Sequence, residues 1–166
     1  MRVPAVTNST PIIALAFLDQ LDLLGKLFEK VYVSRQVYNE VAADTENRIG
    51  ADGLKKQIHE DRIVLYDIMD NNFVELMVGR LHKGELSVMI AAKELGITYV
   101  LMDDVSARKI AESYSLVPIG TVGILKLAKM NGLLSEIKSL LDKLVDNNFR
   151  ISLKLYNEIL KDVNEL

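Results

Sequence analysis

Ile97-Thr98-Tyr99-Val100-Leu101-Met102-Asp103-Asp104 decides the fold. From Ile97 to Met102 it is a continuous apolar run of strand length, without the polar alternation of a half-exposed strand. Such a run predicts a strand covered on both faces, as in a parallel sheet. Asp103-Asp104 then places two carboxylates at the strand's carboxyl end. Glu85 to Leu95 before it reads as a strongly apolar helix, with Gly96 in the position that favours a left-handed backbone. Val105 to Tyr114 after it reads as another helix. Helix, strand and helix in succession call for parallel pairing with right-handed crossovers.

The same alternation extends in both directions. Val3 to Val6 is a short extended segment that runs into Thr7-Asn8-Ser9-Thr10, and Pro11 suits a first helical turn. Apolar residues at Ile12, Ile13, Leu15, Ala16 and Leu18 give one buried helical face, and Leu21, Leu23, Leu24, Leu27 and Phe28 another. Val31-Tyr32-Val33 is a strand, with Ser34 as cap of a helix through Val41. The polar stretch Asp44 to Gly53, with two glycines, reads as a loop or loose helix start before a helix over Leu54 to His59. Ile63 to Tyr66 is the third strand, Asn71 to Leu81 fits a helix, and His82-Lys83-Gly84 a break. Leu116 to Ile119 is the last strand, where Pro118 favours an edge. Helices over Gly120 to Met130, Leu133 to Val145 and Ser152 to Val163 complete the chain. The expectation is one domain over residues 1–166: a three-layer α/β/α sandwich with a central parallel sheet of about five strands and extra C-terminal helices.

Composition narrows the chemistry. The 166 residues are 49% hydrophobic and 26% charged, ordinary for a globular protein large enough to bury a substantial core. There is no cysteine, so disulfides, thiolate metal sites and cysteine nucleophiles are excluded, and any metal must take oxygen or histidine ligands. A net charge of −3 argues against a general electrostatic grip on nucleic acid and leaves room only for a local basic rim. The apolar run Pro11 to Leu18 is too short to span a bilayer, which needs about 20 residues. It also lacks the flanks of a signal peptide. A cytoplasmic protein without a membrane segment is expected.

Ligands of open α/β sheets sit beyond the carboxyl ends of the strands. That rule selects Asn8, Ser34 to Glu40, Asp67 and Asp70, Asp103 and Asp104, and Gly120-Thr121. Asp103-Asp104 is the strongest signal, although one aspartate can cap the following helix while the other binds a cation. Glu85 and Glu40 each have a plain alternative, as a helix-dipole partner and as a solvated surface acid. Asn8 alone reads as a turn or cap residue. Arg35, Arg80, Lys83, Arg108 and Lys109 could meet phosphates, but surface cations are common on soluble helices.

Taken together, the residues resemble the PIN-domain family, in particular its small prokaryotic branch of toxin-like ribonucleases. The resemblance is carried by Asn8-Ser9-Thr10-Pro11-Ile12-Ile13-Ala14-Leu15, Val37-Tyr38-Asn39-Glu40-Val41, Lys83-Gly84-Glu85-Leu86-Ser87, Leu101-Met102-Asp103-Asp104 with Ala107-Arg108, and Ile119-Gly120-Thr121-Val122-Gly123-Ile124-Leu125. It implies a Mg2+- or Mn2+-dependent endoribonuclease. Asn8, Glu40, Glu85 and Asp104 would be its catalytic set, and these four with Asp103 its metal ligands. Ser9, Thr10, Arg35, Lys83 and Arg108 would contact RNA. It also implies a homodimer and a small antitoxin protein as partner. Asn8 stands where the family usually has an aspartate, and Gly120-Thr121 replaces an acid often found after the last strand. A rival reading is a receiver-type phosphoryl-transfer domain, which also gathers acids at a parallel sheet edge. The second is a PIN-like module that binds RNA or protein without catalysis.

Overall fold

The computed structural model describes residues 2–46, 48–70, 72 and 81–166. The chain forms two compact units, Met1–Gly120 and Thr121–Leu166. In the first, β1 (Ala5–Thr7), α1 (Ser9–Phe17), α2 (Leu23–Leu27), β2 (Val31–Ser34), α3 (Arg35–Ala43), α4 (Arg48–His59) and β3 (Ile63–Tyr66) are followed by α5 (Lys83–Leu95), β4 (Tyr99–Leu101), α6 (Val105–Ser113) and β5 (Val117–Ile119). The helix expected from Asn71 to Leu81 falls, but for Asn72 and Leu81, outside the described residues, as does Arg80.

All strand pairs are parallel, in the order β3-β2-β1-β4-β5. Helices flank the sheet in the expected α/β/α arrangement. Ala5, Val6, Val31, Val33, Val100 and Leu101 are all fully buried, which explains why β1, β2 and β4 read as apolar without alternation. Pro118 lies on β5, an edge strand where its missing N–H costs little.

The order matters for function. From β1 the chain moves outward through β2 to β3, then returns to the other side of β1 as β4. The reversal opens a crevice between β1 and β4 at the carboxyl edge, where ligands of open α/β sheets bind. Receiver-type domains instead run in the order 2-1-3-4-5, so this topology removes that rival. Register aligns Leu65, Val33, Thr7, Leu101 and Ile119 in one row. Backbone hydrogen bonds from Asn8 to Leu101 (2.8 Å) and from Met102 to Ile119 (3.0 Å) continue the ladder past that row.

Three boundaries differ from the sequence reading, the first being α5, which begins at Lys83 and so takes in two residues of the expected His82-Lys83-Gly84 break. α4 begins at Arg48 and runs through Gly50 and Gly53, which are packing glycines and not loop breakers. A Cβ on Gly50 would stand 3.3 Å from Ile13, and one on Gly53 3.1 Å from Leu21, so α4 lies close against the segment around α1. In the second unit, α7 (Thr121–Met130) and α9 (Leu153–Asp162) are as expected, but α8 (Lys138–Asp146) starts five residues late. Its free N–H groups at Ile137 and Lys138 donate to the Glu165 carboxylate at 2.9 and 2.8 Å. That cap comes from the far end of the chain, and local periodicity cannot show it.

Candidate functional site

The β1 side of the crevice is built from three helix starts. Asn8 caps α1, its Oδ1 accepting from the Ser9 N–H at 2.9 Å, and is 5% exposed. The Ser9 hydroxyl donates to Glu40 Oε1 at 2.9 Å. Glu40 reaches this point because Ser34 caps α3, accepting from the Val37 N–H at 3.1 Å, and because Val37 and Val41 turn into the core. Glu40 thus sits at the border of the buried stripe, itself exposed.

α5 closes over this pair. A Cβ on Gly84 would fall 2.5 Å from Glu40 Oε2 and 3.7 Å from Asn8 Oδ1, and the first of these separations is one that no ordinary packing tolerates. Glycine lets the first turn of α5 approach Glu40 without displacing its carboxylate. The helix is fixed there by buried hydroxyls. Ser87 donates to the Gly84 carbonyl at 2.6 Å, and the Ser34 and Ser87 hydroxyls lie 2.6 Å apart. Both serines are fully buried, so this chain of hydroxyls couples the start of α3 to the start of α5.

Glu85 follows Gly84 and is buried at 9% exposure. Its Oε2 accepts from the His82 N–H at 3.2 Å, which makes it a partner of the helix start as well as a site acid. Burial raises its pKa above the ordinary glutamate range, and the negative charges of Asp104 and Glu40 push it further the same way. Glu85 therefore feels both other acids.

The β4 and β5 side is more open. Asp104 caps α6, its Oδ1 accepting from the Ala107 N–H at 2.8 Å, as the capping alternative required. Its other oxygen has no hydrogen-bond partner among the described residues, and the side chain is exposed. Asp103 is half-buried. A Cβ on Gly120 would lie 3.0 Å from Asp103 Oδ1 and 3.1 Å from Arg108 Nη1, so both groups crowd the bare α-carbon at the end of β5.

Other candidates stand apart from this arrangement. Arg35 forks onto Asp67, with Nε to Oδ1 at 2.9 Å and Nη2 to Oδ2 at 3.2 Å. The Arg35 hydrogen bonds hold the Asp67 carboxyl below its usual range. Thr10, Lys83 and Lys109 are exposed on α1, α5 and α6. Glu94, which the sequence does not single out, accepts from the Tyr66 hydroxyl at 2.9 Å and from the Asp70 N–H at 2.8 Å, and so secures the chain after β3. Gly84, Ser87 and Gly120 serve the site without carrying any chemistry of their own, so residue type alone does not reveal them. A glycine in the first turn of an otherwise strong helix is the available signal, since it is costly there unless something approaches closely.

The donor set consists of carboxylates and one amide, all hard oxygens suited to magnesium or manganese. Among the described residues, no group of three acidic or histidine side chains is close enough to enclose a metal ion. These residues fit an ion that keeps much of its water and takes one or two carboxylates, as magnesium does, and not a tight protein cage. No curated protein matches the chain. The family model described as PIN domain matches residues 4–165.

Proposed function

Since the chain belongs to the PIN-domain family, whose members generally depend on a divalent metal, we propose that it is a Mg2+- or Mn2+-dependent endoribonuclease hydrolysing RNA phosphodiester bonds. The observation that carries this reading is the close approach of the start of α5 to Glu40 and Asn8 at the carboxyl edge of the sheet, where a Cβ on Gly84 would stand 2.5 Å from Glu40 Oε2 and 3.7 Å from Asn8 Oδ1, with Glu85 the next residue. Glu40, Glu85 and Asp104 would hold the ion, with Asn8 lending an amide oxygen and Asp103 standing next to them. When bound, the ion polarises the scissile phosphate and acidifies a bound water. The chain's own residues prepare the place. Ser9 orients Glu40, Ser34 and Ser87 fix the start of α5, and Asp104 is held by its own helix. Buried Glu85 holds a proton more tightly than an ordinary glutamate and gives it up most readily when positive charge arrives.

Within this reading the protein acts in the cytoplasm as the toxin component of a toxin-antitoxin pair, a homodimer held in check by a small antitoxin protein. The test is cleavage of a labelled single-stranded RNA with manganese, magnesium or EDTA, by the wild type and by Asp104→Asn. Cleavage that needs the metal and falls to background in the variant is expected. Metal-independent cleavage, or equal activity in the variant, refutes it.

One observation favours a second reading. Asn8 is neutral where an acid would add charge, and no three-acid group is formed among the described residues. A PIN-like module that binds RNA or protein without cutting would show RNA affinity, no cleavage, and no stabilisation by manganese.

A further inference from the structure

The last residue of β3 and the chain just after it, Tyr66 to Asp70, are fastened to two helices. Glu94, next to last in α5, turns both carboxylate oxygens to this stretch. It accepts from the Tyr66 hydroxyl at 2.9 Å, from the Met69 N–H at 3.0 Å and from the Asp70 N–H at 2.8 Å. Asp67 receives the fork of Arg35, the first residue of α3, at 2.9 and 3.2 Å. Between the two fastenings Ile68 is buried. α3 carries Glu40 and α5 carries Glu85, and the same two helices meet near their starts through the Ser34 and Ser87 hydroxyls. One tie lets a helix pivot about it, and a second tie along the helix removes that freedom. Ser87 lies about 10 Å along the axis from Glu94 and about 4.5 Å from Gly84. A drift of about 1 Å at Glu94 would therefore swing Gly84 by roughly 0.4 Å about Ser87, close to the tolerance of about 0.5 Å that a working site allows.

We propose that Glu94 is a positioning residue of the metal site: by holding Tyr66 to Asp70 it fixes the tilt of α5, and with it the place of Glu85 beside Glu40. This rests on the metal-dependent reading of the site. Glu94 is the stronger of the two fastenings. Its partners are two backbone N–H groups and a hydroxyl, and hydrogen bonds to an ionised acceptor are about twice as strong as neutral ones. The Arg35–Asp67 pair is exposed on both sides and contributes little.

The experiment compares wild type, Glu94→Ala, Glu94→Gln and Tyr66→Phe. Manganese affinity is measured by calorimetry, and melting temperature in EDTA gives the overall stability. Hydrogen exchange in EDTA is read at the Leu86 N–H, which bonds the His82 carbonyl at 3.0 Å where α5 begins. Glu94→Ala should weaken manganese binding about tenfold, the lower end of what outer partners of metal ligands contribute. It should also speed Leu86 exchange by more than its change in overall stability explains. Glu94→Gln keeps an oxygen for the Met69 and Asp70 N–H groups and should recover most of both. Tyr66→Phe loses one bond without disturbing the backbone ties, and should move both readouts the same way but less far. Wild-type manganese affinity and Leu86 exchange in the folded variants, with only the melting temperature lowered, would make Glu94 a purely structural residue and overturn the proposal while the nuclease reading stands. Wild type that binds no manganese overturns both.

Discussion

The two sides of the β1/β4 crevice are built in opposite ways. On the β1 side the polar groups are linked to one another, Asn8 with Ser9, Ser9 with Glu40, Ser34 with Ser87, and Ser87 with Gly84, at 2.6–2.9 Å and with Glu40 the only exposed member. On the β4 and β5 side Asp104 is exposed with one oxygen unengaged, and Arg108 has no partner among the described residues. The difference separates two roles. The closed side fixes positions, because buried hydroxyl networks specify one arrangement when fully satisfied. The open side keeps its charges available to a ligand, at some cost in stability.

If the closed side is a rigid mount, its most sensitive point is Gly84. Gly84→Ala places a methyl group 2.5 Å from Glu40 Oε2, so either Glu40 swings away from Ser9 or α5 shifts. Glu40 Oε2 is the far end of a flexible, exposed side chain, so it can give way at a cost in stability below about 1 kcal/mol, and manganese stabilisation should be lost with it. The double variant Gly84→Ala, Glu40→Ala removes the collision and should recover most of the stability but none of the metal response. Thermal melts of the three proteins with and without manganese check this. A manganese response of Gly84→Ala that matches wild type would mean that the contact between α5 and Glu40 does not matter to the ion.

Ser87→Ala probes the same side more gently. It removes the donor to the Gly84 carbonyl and the partner of Ser34, while Ser34 keeps its bond from the Val37 N–H. A loss of about 1–2 kcal/mol is expected, because the buried Ser34 hydroxyl loses its acceptor. Urea denaturation gives that value. Ser87→Thr retains a hydroxyl and should lose less.

The two sides also differ in how far the sequence reveals them. The open side is legible because Asp103-Asp104 follows an apolar strand directly, and strand ends announce themselves locally. Ser34, Gly96 and Ser152 are legible for the same reason: each acts within a few residues of itself. The closed side is not. Glu40 meets Ser9 across 31 positions and Ser34 meets Ser87 across 53, and no local pattern encodes such distances. Gly50, Gly53 and Gly84 mislead in one direction, since a glycine that permits close approach looks like one that breaks a helix. The family resemblance recovers Glu40 and Glu85 together with Asp104, but it cannot show that Ser9 holds one and His82 the other.

Asn8→Asp would make the closed side behave like the open one by adding an unengaged charge. The new carboxylate still caps α1, so the fold should tolerate it. In EDTA the variant should melt slightly below wild type, because a negative charge joins Glu40 and Glu85. With manganese it should melt above wild type, and metal-dependent RNA cleavage should rise. Stabilisation by a ligand grows only as the logarithm of its concentration over Kd, so a tenfold gain in affinity is about 1.4 kcal/mol at saturation, or about 3–5 °C. Equal or lower cleavage by Asn8→Asp would remove Asn8 from the metal set.

The smallest effect, and the one that joins the two sides, concerns Glu85. Burial first, then Asp104 and Glu40, raise its pKa in the folded protein above the unfolded value. The native state therefore binds that proton more tightly than the unfolded chain does, and stability falls as pH rises from the ordinary glutamate pKa through the raised one. Glu85→Gln cannot titrate and still offers an oxygen to the His82 N–H. Without metal the variant should be more stable than wild type at neutral pH, by less than about 1 kcal/mol or a few degrees in melting temperature. The advantage should vanish below the unfolded pKa, where wild-type Glu85 is protonated in both states. Manganese should reverse the order at neutral pH by stabilising wild type alone. Melting curves across acidic to neutral pH, with manganese and with EDTA, decide it. A constant difference between the two proteins at every pH would mean that Glu85 does not feel its acidic neighbours across the crevice, and that the two sides work independently.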